Sequence, residues 1–455
     1  MDKLKFTEVG KKIKNLLKNK EFNEFLHPSE IANYLKKLKK QDEKAYYNYL
    51  KKLPKDVLGD VLLELPESMK EDAIKHLSVE KLAQAVEELE SDDATDLMKD
   101  IEEVDVAKER QVHANLSEED KEEIEKLSSY EENQAGAYMQ TEVFDAKLEE
   151  TIEEAIKRLR EKKEQGELEN IHQVYVVDDD NHLKAVIPLE DLIVFDFNRE
   201  FKDIIKNKEY EPIFVKATDP IAEVIKKFED YDLPVIAVVD DLGRLLGRIT
   251  SDDVIDLIED QATEQIYNLA GVQDEAEEED DIKIITKKRA LWLFLNLWTA
   301  ILASFVIGLF DETISKYVAL AVLMPIVASM GGNAGTQTLT VVVRKLALGE
   351  IDFENAKEAL KREIIVALLN GMIFALVMGA IAYVWFNNYM LGVVIALAMI
   401  INLLAAGFFG AVIPLLLKKI GSDPAVGSSV LLTTVTDVVG FFAFLGLAKI
   451  MLIDS

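Results

Sequence analysis

The sequence predicts a multidomain membrane protein. An α-helical N-terminal superhelix, an α/β tandem pair and a connecting helix are expected to precede an all-α transmembrane domain of five helices. The 455 residues carry a formal net charge of −31, and the first 290 hold 73 acidic and 43 basic residues, against 10 and 9 in the remainder. That remainder contains five long apolar stretches, and ahead of them one pattern of residues occurs twice. These observations together predict the class.

The composition excludes one kind of partner and favours another. An acidic surface of this size repels nucleic acid and anionic lipid headgroups and attracts cations. The chain has no cysteine, which excludes disulfides and thiolate-bound zinc. The lysine-rich first thirty residues contain no apolar core of the kind that a signal peptide needs, so we expect no cleavable leader.

Residues 1–128 are predicted to form the acidic helical superhelix. Leucine recurs there every twelve residues, and Pro or Ser followed by acidic residues marks the helix starts between the leucines. The recurring leucines are Leu53, Leu65, Leu77 and Leu89. In the last unit, ESDDATD, Asp92 and Asp96 share one helix face, where like charges are destabilising unless a cation lies between them. The alternative is a solvated helix start near the positive end of the helix dipole.

Residues 129–262 contain an internal duplication. VDDDNHLKAVIPLEDLI (177–193) matches VDDLGRLLGRITSDDVI (239–255) with a constant shift of 62 and no gap. Each copy has the order strand, Asp-rich turn, strand and helix, with an amphipathic helix ahead of it. This pattern resembles a tandem cystathionine-β-synthase (CBS) pair, a module that regulates enzymes and channels.

The second copy carries three residues at the spacing that CBS modules use for a nucleotide ribose. These residues are Gly247, Thr250 and Asp253, and the first copy has Ala185, Pro188 and Asp191 instead. At most one nucleotide site is therefore equipped, and we do not expect nucleotide to be the main ligand.

Residues 251–282 are predicted to form a connecting helix and an acidic linker. The helix that starts near Ser251 continues to about Val272, and the like-charged run DEAEEEDD (274–281) is typical of a solvated linker. The transmembrane domain, 283–455, follows directly.

Five apolar stretches are each long enough to cross a bilayer, which takes about 20 residues. They lie near Leu291–Phe310, Tyr317–Val343, Ile364–Phe386, Leu391–Leu417 and Ala425–Leu452. Lys and Arg cluster before the first stretch and after the second and fourth, whereas the other two loops hold only Lys316. The positive-inside rule therefore predicts a multi-pass protein of the cell (inner) membrane, with cytoplasmic N-terminal domains and the C terminus outside.

Two of these stretches contain polar residues that are unlike a lipid-facing helix. In the second, Gly331 and Gly335 form a small-xxx-small pair, which by itself is typical of close helix packing. Asn333 and Gln337 add amide groups that need partners or water in a bilayer. In the fifth, hydroxyl residues share one helix face beside Asp437. They are Ser429, Thr433 and Thr436.

Asp437 lies near the middle of the fifth stretch, where an ionised carboxylate costs at least about 2.5–3.5 kcal/mol. The only basic residue of that stretch, Lys449, is twelve residues away, about 18 Å along a helix, so the two cannot pair within it. We therefore expect Asp437 to face water or a cation rather than to form an internal salt bridge or a helix–helix hydrogen bond.

The combined order of superhelix, CBS pair, connecting helix and five spans resembles the MgtE family of magnesium channels over nearly the whole chain. The motifs GGNAGTQ (331–337) and TTVTD (433–437) carry this resemblance. It implies a homodimer in a lipid bilayer, with a pore between the two membrane domains and an Asp437 from each subunit holding a hydrated Mg2+. The residues expected to line the pore are Asn333, Gln337, Ser429, Thr433 and Thr436.

The resemblance also implies regulatory magnesium sites in the cytoplasmic part. The side chains at the matching positions are Asp60, Asp92, Asp96, Asp232, Asp253, Asp256, Glu264 and Asp423, with a backbone carbonyl at Ala137. Two positions depart from the pattern, because Gln261 and Gln265 stand where acidic side chains would be expected. This departure predicts a weaker metal cluster on the connecting helix.

The leading hypothesis is a magnesium-selective channel that cytoplasmic Mg2+ closes. Mg2+ dehydrates reluctantly and is held through waters by one or two carboxylates, and Co2+ is a second candidate ion. A proton- or sodium-coupled divalent cation carrier is the alternative within transport, since an intramembrane Asp can relay protons. A non-conducting membrane sensor of nucleotide or metal is the alternative of a different class. No enzyme is predicted, because the spans hold no His and no paired carboxylates.

Overall fold

The computed structural model describes residues 9–13, 26–166, 168, 170–207, 209–272, 282–351 and 355–453. These residues form two compact units, one that reaches to Asp260 and a second that begins at Gln261. The division falls inside a helix that begins at Ser251. The acidic linker expected at 274–281 lies outside the described residues.

Short helices make up the N-terminal part of the first unit, and residues 9–13 are also helical. The helices from residue 28 onward are α1 (Pro28–Gln41), α2 (Glu43–Leu50), α3 (Lys55–Leu63), α4 (Glu67–His76), α5 (Val79–Val86), α6 (Ser91–Val104), α7 (Val106–Asn115) and α8 (Glu118–Leu127). Pro54 and Pro66 occupy the N-cap positions of α3 and α4. The Ser78 side chain caps α5 by accepting a hydrogen bond from the Lys81 amide.

The twelve-residue leucine spacing corresponds to the core of this helical stack. Leu53, Leu65 and Leu77 are buried, and Leu89 packs against the same core from a half-buried position. Each leucine lies just outside a helix, so the turns contribute to the core as well as the helix faces. The predicted stack of short helices is confirmed.

Two three-stranded sheets follow, one in each copy of the duplicated pattern. In the first, β1 (Asp145–Lys147) runs parallel to β2 (Gln173–Val177), which pairs antiparallel with β3 (Leu183–Pro188). The second sheet repeats this order with β4 (Phe214–Lys216), β5 (Val235–Val239) and β6 (Leu245–Thr250). The predicted α/β pair is confirmed.

The helices of the pair show where the two copies differ. They are α9 (Ile152–Gln165), α10 (Leu189–Leu192), α11 (Phe201–Ile204) and α12 (Ile221–Tyr231), with 3-10 turns at Ala135–Tyr138 and Ile205–Asn207. The hairpin strands keep the shift of 62, as from Gln173 to Val235, whereas the amphipathic helices start 69 residues apart, at Ile152 and Ile221. The first copy therefore carries seven additional residues between the start of this helix and its second strand.

The connecting helix is one unbroken element, α13 (Ser251–Ala270). It ends at Gly271, whose φ of +71° is one that L side chains rarely adopt. The Val272 amide donates to the Tyr267 carbonyl and the Gly271 amide to the Asn268 carbonyl, which is a Schellman ending. The helix agrees with the prediction to within two residues.

Five helices of the second unit are long and apolar enough to cross a membrane. The elements of this unit are α14 (Ile282–Gly308), α15 (Asp311–Lys316), α16 (Ala319–Ala347), α17 (Ala356–Phe386), α18 (Tyr389–Lys419), α19 (Ser428–Ala448) and a final π-helical turn (Lys449–Ile453). The first to fifth spans are α14, α16, α17, α18 and α19. The predicted five-span, all-α domain is confirmed.

The fourth span is the central helix of the membrane domain. It packs against the second, third and fifth spans, and the first span packs on the fifth. Its Ala398 and Met399 are fully buried. A Cβ added to Gly392 would lie 2.7 Å from the Gly379 carbonyl oxygen of the third span, so glycine lets the two backbones approach closely.

Candidate cation sites

The first unit brings acidic side chains of the helical stack and the second repeat together. Asp92, at the start of α6, is 7% exposed. Burial, and then the nearby charge of Asp253, raise the pKa of the Asp92 carboxyl well above its usual range. Burial also raises the pKa of Asp253, which lies in the first turn of α13. The two carboxylates therefore favour a proton or a cation beside them.

Asp93 joins this cluster, although sequence analysis did not single it out. Burial, and then the charges of Asp253 and Asp60, raise the pKa of Asp93 to about 7. The charge of Asp96 acts on it as well. Asp93 stands next to Asp92 in the acidic motif, but helical geometry places successive side chains about 100° apart. Only the folded structure shows that the carboxyls of Asp92 and Asp93 are both shielded from solvent.

Asp96 lies within electrostatic reach of Tyr138, the residue that follows Ala137. Asp96 forms an ion pair with Lys99 at 2.8 Å. Its charge also contributes, after burial, to the raised pKa of Tyr138, the residue next to Ala137. Ala137 is itself buried in its 3-10 turn. The metal roles of Asp96 and Ala137 stay predictions.

Asp232 and Asp256 are both exposed. Asp232 caps the end of α12 with a left-handed φ of +50°. Within the described residues, no three carboxylate or imidazole side chains converge closely enough to enclose an ion. Mg2+ keeps several waters and needs only one or two carboxylates. The acidic side chains therefore suit a hydrated divalent ion rather than a cage of protein ligands.

A buried arginine joins the helical stack to the second repeat. Arg248 on β6 is 2% exposed. Its guanidinium donates hydrogen bonds of 3.0–3.4 Å to Gln140, the Asn170 carbonyl and Glu90. Nearby, the Glu142 carboxylate accepts hydrogen bonds of 3.0 Å from the amide and the hydroxyl of Ser91. These contacts hold the start of α6 against the repeat pair through protein groups alone.

The three residues proposed for a nucleotide have partners within the protein. The hydroxyl and amide of Thr250 donate to Asp253 Oδ2 at 2.5 and 3.3 Å, at the start of α13. A Cβ added to Gly247 would lie 2.5 Å from the Gln140 carbonyl oxygen, so only glycine fits there. Folding alone thus accounts for this spacing, and the nucleotide role stays a prediction.

In the second unit, the end of α13 meets the loop before the fifth span. Asn268 is 8% exposed, and its Nδ2 donates to Asp423 Oδ2 at 3.0 Å and to Glu264 Oε1 at 3.3 Å. The structure thus brings together Glu264 and Asp423, two of the residues predicted to bind metal, with the Asn268 amide between them. A cavity of about 310 Å³ adjoins them, and Gln261 and Gln265 are among its lining residues. Sequence analysis missed Asn268, because a single Asn on a helix gives no signal of its partners.

On the fifth span, Asp437 is half-buried, as are Thr433 one turn before it and Ser429 two turns before it. These three residues follow one another every four positions and form a half-exposed stripe. Thr436 corrects the expectation that all the hydroxyl residues share this stripe. It is fully buried, and its hydroxyl donates to helix carbonyls one turn back, at 3.0 and 3.1 Å. Thr436 therefore packs inside the helical domain.

The second span carries an exposed stripe of polar side chains. Its members are Ser329, Asn333, Thr336, Gln337 and Thr340. Asn333 Nδ2 lies 3.4 Å from the Ser329 hydroxyl. Exposed amides within a membrane span need a hydrogen-bond partner, either water or another protein surface. The second and fifth spans pack directly against each other, so both polar stripes belong to neighbouring helices.

Asn402, on the fourth span, is a buried polar residue that sequence analysis missed. It is fully buried, and its Nδ2 donates to the Val327 carbonyl of the second span at 2.8 Å. A Cβ added to Gly331 or Gly440 would lie 2.3 or 2.8 Å from the same nitrogen. One amide therefore fills the space between glycines of the second and fifth spans.

Family models match three parts of the chain. The model for the MgtE intracellular N domain matches residues 26–133, and the CBS-domain model matches 135–197 and 202–260. A model described as MgtE, divalent cation transporter, matches residues 324–447.

Several known proteins resemble the chain. The magnesium transporter MgtE of Enterococcus faecalis is 34% identical over 72% of each chain, and that of Thermus thermophilus is 32% identical over 72% of each. A crystal structure of the cytosolic domain of the Mg2+ channel MgtE in complex with ATP has 30% identity and a TM-score of 0.49. It covers 56% of this chain and 99% of that one.

Proposed function

The chain belongs to the MgtE family of magnesium transporters, and on that premise we propose that it is a magnesium-selective channel closed by cytoplasmic Mg2+. It is a multi-pass membrane protein of a transporter family, a class distinct from enzymes. One observation carries the channel proposal. The half-buried carboxylate of Asp437 lies on a span that packs beside the exposed polar stripe of the second span.

Asp437 supplies the charge of the proposed pore site. A hydrated Mg2+ binds through its water shell to one or two carboxylates, and the carboxylate in turn offsets its desolvation cost by facing the ion. Ser429, Thr433, Asn333 and Gln337 offer hydroxyl and amide groups that can bond to the waters of that shell. The ion therefore crosses the membrane with part of its water shell in place, and protein groups do not have to replace all of its waters.

The proposed active form is a homodimer. One subunit presents a single polar stripe on each of its second and fifth spans, and exposed polar groups do not face lipid. A two-fold axis places the same stripes of a second copy opposite, which is the simplest symmetric way to close a pore. Two Asp437 carboxylates then share one hydrated ion.

The proposed gate is the acidic cluster of the first unit. Asp92, Asp93 and Asp253 repel one another when ionised, and unit charges about 4 Å apart interact by about 4 kcal/mol at an effective dielectric near 20. Mg2+ bound among them, with Asp60, Asp96, Asp232, Asp256 and the Ala137 carbonyl as further proposed ligands, cancels this repulsion. The ion therefore favours the closed state.

We place the N-terminal domains in the cytoplasm and the C terminus outside. Lys and Arg stand at one side of the five spans, before the first and after the second and fourth. This orientation exposes the acidic cluster to cytoplasmic Mg2+, so that high internal Mg2+ stops further uptake. Mg2+, rather than nucleotide, is the proposed regulatory ligand, and Co2+ is a second candidate for the transported ion.

Single-channel recording with cytoplasmic Mg2+ varied tests this proposal. A channel gives unitary currents whose open probability falls as cytoplasmic Mg2+ rises. A coupled carrier gives no unitary currents, and its flux in proteoliposomes depends on a proton or sodium gradient. A sensor gives no flux. Either of the last two results would overturn the proposal.

A further inference from the structure

The connecting helix is attached to the membrane domain through a neutral side chain. Both N–H groups of the Asn268 amide are used, one on Asp423 Oδ2 at 3.0 Å and one on Glu264 Oε1 at 3.3 Å. The other oxygen of Asp423 accepts a hydrogen bond of 2.8 Å from the Ala425 amide. Both oxygens of Asp423 therefore have donors that belong to the protein.

The charge around this bridge is low for a divalent-ion site. The cavity beside it is lined by Glu264, Asp423 and Lys418, and the ammonium of Lys418 donates to the Leu346 carbonyl at 3.2 Å. Gln261 and Gln265 add no charge. The affinity of an oxygen site for a divalent ion depends on its count of charged ligands. A resident lysine and two neutral amides leave a net charge of about −1 for these five side chains.

The orientation of the Asn268 amide also opposes a metal there. Its nitrogen, which cannot ligate a cation, points at both carboxylates. An ion between Glu264 and Asp423 would require the amide to turn and present its oxygen instead. The arrangement of this chain therefore satisfies the two carboxylates without an ion.

Apolar packing next to the bridge adds a second attachment that needs no metal. Leu269, the residue after Asn268, packs against a buried cluster contributed by the second, fourth and fifth spans and the loop before the fifth. The cluster consists of Leu339, Val343, Ile413, Ala425 and Leu432. Burial of this side chain is favourable whether or not Mg2+ is present.

We propose that Asn268 fastens the connecting helix to the membrane domain in the absence of Mg2+, at the place where the family resemblance implies a regulatory ion. This inference rests on the proposed function for its consequence in gating. It assigns Mg2+ sensing to the acidic cluster of the first unit, and leaves the end of α13 docked at all Mg2+ concentrations. Asn268 is a positioning residue, since it acts through Asp423 and Glu264.

Cysteine accessibility in the full chain tests the inference. The chain has no native cysteine, so Leu269→Cys introduces a single thiol whose modification by a maleimide reports undocking. We expect equally slow modification in EDTA and in saturating Mg2+. Ile266→Cys, at a position 67% exposed on the same helix, should be modified rapidly in both and serves as the control for reagent access.

A second change makes the prediction sharper. Asn268→Asp places three carboxylates together and removes the donor, so modification of the Leu269→Cys thiol should become about tenfold faster in EDTA and slow again in Mg2+. Thr263→Asp adds the same charge to the same helix outside the cavity lining, and should leave both rates unchanged. Hydrogen exchange of residues 261–272 in the unmodified chain repeats the comparison without the cysteine.

The outcomes separate this inference from the proposed function. Slow modification and slow exchange of the parent in EDTA support it. Fast modification and exchange of the parent in EDTA that slow only with Mg2+ would overturn it, even if Mg2+-dependent gating of currents is intact. Loss of gating with the helix docked in both conditions would overturn the proposed gate and leave the Asn268 attachment standing.

Discussion

The guanidinium of Arg248 on β6 and the carboxylate of Glu90 at the start of α6 form an ion pair at 3.4 Å, with the arginine side chain only 2% exposed. This pair joins the helical stack to the second repeat beside Asp92 and Asp93, the most strongly shielded carboxyls of the acidic cluster. A permanent cation in that position lowers the repulsion that the cluster would otherwise exert. The pair therefore opposes part of the repulsion that Mg2+ is proposed to cancel.

Arg248→Met should destabilise this contact. Removing one partner of a buried pair leaves the other charge uncompensated, at a cost of about 3 kcal/mol. We expect a lower thermal midpoint of the full chain in detergent and faster proteolysis around residues 128–134. Arg244→Met is the matched control, since Arg244 pairs with Asp240 at 2.7 Å on the surface, where such a pair contributes about 0–1 kcal/mol. Equal effects of the two changes would contradict the role given to Arg248.

Neutralising the acidic cluster should weaken closure by Mg2+. With Asp92, Asp93 and Asp253 all changed to Asn, the carboxylates that are proposed to bind Mg2+ in the closed state are lost. Moving a gate from 1:99 to 99:1 takes about 5.5 kcal/mol of differential binding, so loss of three carboxylates should raise the closing concentration by more than about tenfold. The control changes the exposed Asp179, Asp180 and Asp241 to Asn. An unchanged closing concentration in the first variant would refute the gate.

Protons should substitute for Mg2+ at the same cluster. A carboxyl whose pKa rises on folding contributes stability that is fully present below its unfolded pKa of about 4 and is lost as the pH rises through its folded pKa. For Asp93 the folded pKa is about 7. In EDTA the first unit should therefore be more stable at about pH 6 than at about pH 8, by about 1 kcal/mol for this group. Hydrogen exchange at both pH values, corrected for intrinsic rates, measures the difference. Asp93→Asn should reduce it, and an unreduced difference would show that another group is responsible.

Local patterns predicted most of the fold. The five spans and the twelve-residue leucine spacing depend on composition and period, and both can be read directly from the sequence. The seven additional residues between the start of α9 and β2 could not be seen in the sequence pattern, because each copy keeps its own internal pattern and only the offsets between the copies differ.

The candidate sites were predicted less completely, because they depend on contacts between residues that are distant in the sequence. Asp437, Asn333 and Gln337 are recognisable because polar groups are costly in an apolar stretch. Asn268 and Asn402 owe their importance to what faces them from other helices, which no local pattern encodes. Thr436 illustrates the same limit of sequence analysis. The helical period places it near the stripe, but the period alone does not show which side chains at the edge of the stripe are buried.

Asp437→Asn should remove most magnesium transport while leaving the chain folded. Loss of a charge about 4 Å from the ion removes several kcal/mol of attraction at an effective dielectric near 20, and the neutral residue makes the span easier to insert. We expect Mg2+ flux in proteoliposomes to fall by more than about tenfold with an unchanged thermal midpoint. Asp311→Asn, in the short helix after the first span, is the control. Retained flux and selectivity in the Asp437 variant would exclude it as the pore site.

The close packing of Asn402 on Gly331 should make the stability effects of substitutions in the second and fourth spans depend on each other. Gly331→Ala would place a Cβ 2.3 Å from the Asn402 amide nitrogen, and overpacking of this kind costs about 1–3 kcal/mol. Gly332→Ala is the matched control, because nothing lies within 4 Å of a Cβ at that position. Since alanine removes the clashing amide, Asn402→Ala should recover part of the loss caused by Gly331→Ala, with a coupling of about 0.5–3 kcal/mol in a double-mutant cycle. Thermal unfolding of the four variants in detergent gives the cycle. Equal midpoints for Gly331→Ala and Gly332→Ala, or additive effects of Gly331→Ala and Asn402→Ala, would show that the two residues do not constrain each other.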